Sequence, residues 1–252
     1  MTDLSGKIVL ITGAARRLGR AIALTLAAEG ADIALHVHTS SGEDLAGEIA
    51  ILGRRSWILR ADLSRREEAA RLSETALATV GRIDILVNNA AVFFPTPLAT
   101  LNAAVWRTVL QTNLTAPFVL SFLVGRTMQK GGMGKIIQLG DWSGMRPVAG
   151  YLPYCVSKSG LLALTQVLAK AFAPQVQVNA VAPGPVLLPD HYTTEQQGAL
   201  RAHTPLRRLG QVADVVRAVR FLVTGGDFVT GAVYCVDGGC LVSTVGGTGT
   251  SL

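Results

Sequence analysis

Short runs of apolar residues recur along this chain, each followed by a longer stretch whose apolar positions return at helical spacing. The runs at 7–12, 31–38, 56–60, 83–87, 135–140, 175–181 and 232–236 predict seven strands, buried on both faces as in a parallel sheet. The stretches at 20–29, 43–52, 65–80, 101–129, 157–172 and 212–223 predict helices. Gly30 closes the first helix, and Pro174 the fifth. Pro117 predicts a kink or break in the fourth near Asn113 and Leu114. The helix at 157–172 is apolar almost all round, so it should be buried on more than one side, which suggests a subunit interface.

Strand and helix alternate from end to end, with no linker, internal repeat or second core. The expected fold class is α/β: a single Rossmann-type domain over 1–243, with a doubly wound parallel sheet, helices on both faces and right-handed crossovers. Residues 244–252, rich in Gly, Thr and Ser, should form a flexible tail. The polar stretch 187–210, with Pro189 and Pro205, is the expected substrate lid.

Composition narrows the classes. A chain of 252 residues, 49% hydrophobic and with 27 glycines, suits one such domain. There is no run of 18 apolar residues and no signal-peptide pattern at the start, so no membrane partner is expected. Cys155, Cys235 and Cys240 have no metal-ligand spacing and cannot all pair; reduced thiols in a cytoplasmic protein without metal are expected. The net charge of +6 comes from scattered basic residues, which fits an anionic cofactor better than nucleic acid.

The first strand runs into Thr12, Gly13, Arg16, Arg17, Leu18 and Gly19, and then a helix. Strand, glycine loop and helix N-terminus together bind a pyrophosphate, through free N–H groups and the helix dipole. Arg17 stands where such loops often have a middle glycine. The second strand ends in His36, His38, Thr39 and Ser40, without the acidic residue that holds a ribose 2′-hydroxyl. With Arg16 and Arg17 near, this favours a 2′-phosphate and hence NADP(H). Asp62 and Leu63 follow the third strand, at the end where ligands bind in such sheets. Asn88, Asn89 and Ala90 follow the fourth; the two amides either form a turn or lock the strand end beside the cofactor. Phe93 and Phe94 lie in a proline-stiffened loop, where a ring could stack a planar substrate or pack under the next helix.

Tyr154 and Lys158 are four residues apart, on one face of a helix. An ammonium that close favours the tyrosinate, lowering a phenol pKa that is ~10 unperturbed. Asp141, at the end of a buried strand, completes a proton-handling site. An ionised Asp cannot donate to a carbonyl oxygen and would repel an oxyanion, so it suits a nitrogen-rich ring better than a simple ketone.

Across nearly the whole chain these residues resemble the short-chain dehydrogenase/reductase family: Thr12, Gly13 and Gly19, Asp62, Asn88 to Ala90, Asn113, Tyr154, Lys158, and Pro183 with Gly184. The resemblance implies that Tyr154 is the catalytic acid, with Lys158 holding the nicotinamide ribose and lowering the Tyr pKa. Asn113 would hold a water in a proton relay. Asp62 and Asn89 would line the adenine and ribose side, and Pro183, Gly184 and Val186 the nicotinamide side. Asp141 stands where the family usually has Ser. That departure, Arg17, the segment at 35–38 and the segment at 93–98 resemble the pteridine reductase branch. This branch implies a pterin stacked on Phe93 and bonded by Asp141, which takes part in proton delivery, with Arg17 contacting the substrate or the cofactor phosphate, although it usually has Arg where Thr39 stands. The leading expectation is an NADPH-dependent, homotetrameric reductase of a C=N or C=O bond in a small, pteridine-like molecule. The alternatives are a carbonyl reductase of the 3-oxoacyl-carrier-protein or sugar/alcohol type, with Ser143 partly replacing the usual Ser, and a non-catalytic dinucleotide sensor.

Overall fold

The computed structural model describes residues 3–188 and 192–243. The predicted tail at 244–252 lies outside them, as do Pro189, Asp190 and His191 of the predicted lid. Seven parallel strands form one sheet: β1 (Ile8–Ile11), β2 (Asp32–Val37), β3 (Ser56–Arg60), β4 (Ile85–Asn88), β5 (Gly134–Leu139), β6 (Val176–Pro183) and β7 (Val233–Val236). Their spatial order is β3-β2-β1-β4-β5-β6-β7. The order reverses at β1, which pairs with β2 through Val9 opposite Ile33 and with β4 through Val9 opposite Ile85. The crevice at the carboxyl ends of β1 and β4 is therefore the topological switch point, where such sheets bind ligands.

The helices are α1 (Arg17–Ala28), α2 (Glu43–Ile51), α3 (Glu68–Val80), α4 (Ala103–Leu110), α5 (Ala116–Lys130), α6 (Leu152–Phe172), α7 (Thr194–His203) and α8 (Val212–Thr224). Side chains alternate across β1, so Val9 and Ile11 join one core with Ile22 and Leu26 of α1 and Val219 and Leu222 of α8. Leu10 faces the other core, with Ala69 and Leu72 of α3, Leu120 and Val124 of α5, and Phe172 of α6. Burial on both faces holds for the central strands but not for β3 and β7, each of which has one neighbour. Ile58 is 38% exposed and Tyr234 44%.

The fourth predicted helix is continuous but irregular. A π-helical turn, Gln111–Thr115, joins α4 to α5 at the position that Pro117 predicted. The joined helix, Ala103–Lys130, is long and apolar enough to cross a membrane by length and composition, but half of its most apolar stretch is buried against the body. Helix α6 starts five residues earlier than its apolar run suggests, because Pro153 is well suited to a first turn. The predicted lid contains α7, which was not among the predicted helices. Thr193 and Gln196 form a capping box there, a signal legible in the sequence.

Candidate active site

Gly13 turns the chain out of β1 at φ +63°, a conformation natural to glycine. A Cβ on Gly19 would lie 2.3 Å from the Gly13 carbonyl oxygen and 2.6 Å from Asn89 Nδ2, so the start of α1 packs against backbone. Arg16, the N-cap of α1, makes no side-chain cap, which leaves the arrangement that receives an anion at a helix N-terminus. Asn89 locks the strand ends, as one of its two sequence readings had it. Its Nδ2 donates to the Thr12 carbonyl at 2.8 Å and to that of Gly13 at 3.1 Å. The N–H groups of Asn89 and Ala90 donate to Thr12 Oγ1 at 2.9 and 3.0 Å.

His36 belongs to the scaffold, which corrects its pairing with His38 as a phosphate-facing imidazole. It is 2% exposed; Nδ1 accepts from Gly13 N–H at 3.1 Å, and Nε2 lies 3.1 Å from the Ala61 carbonyl. Burial pushes its pKa down to about 4, against the Ala61 bond that raises it. His38 is exposed, 3.8 Å from Asp62. Asp62 accepts from the hydroxyl and N–H of Ser64 at 2.7 and 3.0 Å, and the hydroxyl bond chiefly holds its pKa below the usual range. Arg60 donates to the His38 carbonyl at 2.6 Å, placing at this edge a cation that the sequence reading overlooked.

From here a cleft of about 1000 Å³ runs along the carboxyl edge of the sheet. Its wall includes Gly13, Arg16, Arg17, Leu18, Gly19, His38, Thr39, Ser40, Asp62, Leu63, Asn89 and Ala90, then Phe93, Asp141, Tyr154, Gly184 and Val186. The close-packed glycines, the uncapped helix start and the cleft's size fit a dinucleotide. Gly184 must be small, because a Cβ there would lie 2.6 Å from Asp237 Cα. Pro183 ends β6 beside it, and Asn113 and Lys158 sit buried behind the wall.

At the inner end, Tyr154 and Lys158 lie one turn apart on α6, and Asp141 follows β5. The Tyr154 hydroxyl donates to Asp141 Oδ2 at 3.0 Å. Asp141 Oδ1 accepts from Ser143 N–H at 2.8 Å, capping the 3₁₀ turn Trp142–Gly144. Ser143 Oγ is buried without a hydrogen-bond partner among the described residues. Lys158 Nζ donates to the Leu139 carbonyl at 2.7 Å and lies 5.6 Å from the Tyr154 ring centre.

The expected lowering of the Tyr154 pKa by Lys158 does not occur. Burial, then the charge and hydrogen bond of Asp141, push the phenol well above its ordinary value. Burial also lowers Lys158 to about 8, opposed by Asp141. The Asn113 side chain is held by the loop that follows β4 and by α6. Its Oδ1 accepts from Val92 N–H at 2.8 Å, and its Nδ2 donates to the Val92 carbonyl at 2.9 Å and to Ser157 Oγ at 3.3 Å. Phe93 is 45% exposed, but one ring face is taken: it stacks on Tyr151 at 4.5 Å and meets the edge of Tyr154 at 4.7 Å. Tyr151 was missed, although its place three residues before Tyr154 at the start of a helix was a signal. Burial and a hydrogen bond with Tyr192 raise its pKa to about 12. Trp142, Leu188, Tyr192 and Leu200 also line this end. Arg17 donates to the Leu187 carbonyl at 3.1 Å.

Sheet order, glycine loop and the Tyr154/Lys158 pair together define a dinucleotide-binding oxidoreductase class, and known proteins agree. A family profile described as "Enoyl-(Acyl carrier protein) reductase" matches residues 13–240. The chain belongs to the short-chain dehydrogenase/reductase family. It is 34% identical over 247 residues to a 3-oxoacyl-[acyl-carrier-protein] reductase of Synechocystis, covering 96% of this chain and all of that protein. It is 36% identical to a granaticin polyketide synthase putative ketoacyl reductase of Streptomyces violaceoruber, covering 92% and 95%. A 7α-hydroxysteroid dehydrogenase, solved with NADH and 7-oxo glycochenodeoxycholic acid, superposes with TM-score 0.89 at 32% identity, covering 94% and 95% of the two chains. These similarities favour the ketoreductase alternative over the pteridine reductase branch.

Proposed function

We propose that this protein is an NADPH-dependent carbonyl reductase acting on a small ketone of the 3-oxoacyl type. The observation that carries the reading is Tyr154: a buried, protonated phenol at the inner end of the cleft, with Lys158 behind it. The names of the similar reductases support the ketone over the pteridine.

Gly13, Leu18 and Gly19 would hold the pyrophosphate, and Asp62, Leu63 and Ala90 the adenosine. Arg16, with His38, Thr39, Ser40 and Arg60 at the edge, would receive a 2′-phosphate. Asn89 would join Asp62 on the adenine and ribose side, Pro183, Gly184 and Val186 would flank the nicotinamide, and Lys158 would hold its ribose. When bound, that cofactor supplies the hydride. Tyr154 gives its proton to the substrate oxygen; its raised pKa keeps the proton available at neutral pH. Lys158, fixed by the Leu139 carbonyl, places positive charge below the phenol as it ionises. Ser143 Oγ, buried without a hydrogen-bond partner among the described residues, would partly replace the usual Ser at 141. The assembly would be a homotetramer in the cytoplasm.

A second reading, reduction of a pteridine-like ring, is favoured by one observation: Asp141 accepts from the Tyr154 hydroxyl and is equally able to accept from a ring N–H. A screen of NADPH and NADH oxidation with β-ketoesters and dihydropteridines tests both readings. Turnover of ketoesters with a higher kcat/KM for NADPH is expected. A preference for NADH would overturn the cofactor choice, and turnover of pteridines alone would overturn the ketone.

A further inference from the structure

We propose that Arg17 is a positioning residue that straps the chain after β6 across the substrate end of the cleft. The inference rests on reading the cleft as a cofactor and substrate site. Three observations carry it. Arg17 sits in the left-handed region at φ 52°, where a glycine would be unstrained. Its guanidinium donates to the carbonyl of Leu187, 170 residues further along the chain. Leu187, Leu188 and Leu200 line the same cleft as Arg17.

The covering stretch needs such a tie. None of the ten residues of α7 is buried. At its far end the stretch is held by Leu206 N–H on the Gly238 carbonyl at 3.1 Å and Gly210 N–H on that of Pro185 at 3.0 Å. At its near end it is held by Arg17, and by Tyr192 against Tyr151. The strained arginine thus links the glycine loop, on which cofactor phosphates would sit, to the wall over the substrate. Ordering that loop orders the wall, so Arg17 acts on substrate affinity through Leu187 and takes no part in proton transfer.

The test compares Arg17→Gly and Arg17→Lys with the wild type. Gly relieves the strained backbone and removes the strap; Lys keeps a cationic donor. Four quantities are measured: melting temperature, NADPH affinity by fluorescence, KM and kcat, and the rate at which thermolysin cleaves within 192–210. Losing a charged hydrogen bond predicts cleavage and ketone KM each raised roughly 10-fold in Arg17→Gly, with partial recovery in Arg17→Lys. Melting temperature should hold or rise, and NADPH affinity and kcat should change less than KM. Unchanged cleavage within 192–210 would refute the strap. So would a loss confined to NADPH affinity that fades at high salt, which would make Arg17 a phosphate ligand. Proteolysis needs no turnover, so a failed substrate screen would refute the proposed reaction and leave the strap to be judged by cleavage.

Discussion

At the scale of residues, the site turns on which group owns the Tyr154 proton. Tyr154→Phe keeps the ring packed on Phe93 and deletes the acid, so turnover should fall roughly 10²–10⁴-fold while NADPH still binds. Near-normal turnover would remove Tyr154 from the mechanism. Asp141→Ser exchanges a carboxylate for a donor. On a β-ketoester it should raise kcat/KM, because the oxyanion is no longer opposed; on a dihydropteridine it should lower it roughly 10–100-fold through lost charge-assisted bonds. A fall on the ketoester would speak against the ketone reading. Lys158 adds a pH dependence. Its folded pKa of about 8 means that its charge is full well below pH 8 and lost as pH rises through that value. The pH profile of kcat/KM, which reports the free enzyme, should therefore bend downward near pH 8. A profile flat to pH 10 would show that the charge of Lys158 is dispensable.

At the scale of elements, the glycine loop is held by a neighbouring strand as well as by its own glycines. His36 of β2 accepts the Gly13 N–H only when neutral at Nδ1. Its pKa is depressed from the usual His value to about 4, so the folded protein binds fewer protons than the unfolded chain between those values. Its contribution is whole above about pH 6.5 and declines as pH falls towards 4, a loss of about 2 kcal/mol at pH 5. Urea unfolding at pH 7 and pH 5 should show that loss in the wild type and less of it in His36→Gln. Equal losses would place the acid sensitivity elsewhere. The π-helical turn between α4 and α5 does similar work from the other side. It carries Asn113, whose amide clasps both polar groups of Val92 and so fixes the loop that bears Phe93.

At the scale of the whole molecule, α5 and α6 leave apolar surface uncovered. Phe118 and Phe122 are 43% and 40% exposed and stack on each other, and Val156 and Val167 of α6 are 43% and 63% exposed. Across the fold, Phe221 of α8 and Tyr234 of β7 are also exposed and in contact. Two separate apolar faces suit the two kinds of interface in a dihedral tetramer. Light scattering at micromolar concentration should give four chains, and Val167→Glu should halve that number or reduce it further. A monomeric wild type would refute the assembly.

Strand and helix periodicity alone determined the doubly wound sheet, because burial on both faces forces uniformly apolar runs in the central strands. The glycine loop was equally legible, since a positive φ at Gly13 and backbone contact at Gly19 admit little else. The spacing of Tyr154 and Lys158 told that they share a helix face, and Pro117 told where the long helix would deform. The sequence could not tell what each polar group touches, because such partners lie far apart along the chain. Tertiary structure decided that Asp141, thirteen residues before Tyr154, accepts from its hydroxyl and raises its pKa. It decided that His36 serves the loop 23 residues earlier, and that Arg17 reaches Leu187. Local pattern follows from the geometry of one element, whereas charge, proton affinity and hydrogen bonding depend on whatever other elements the fold brings alongside.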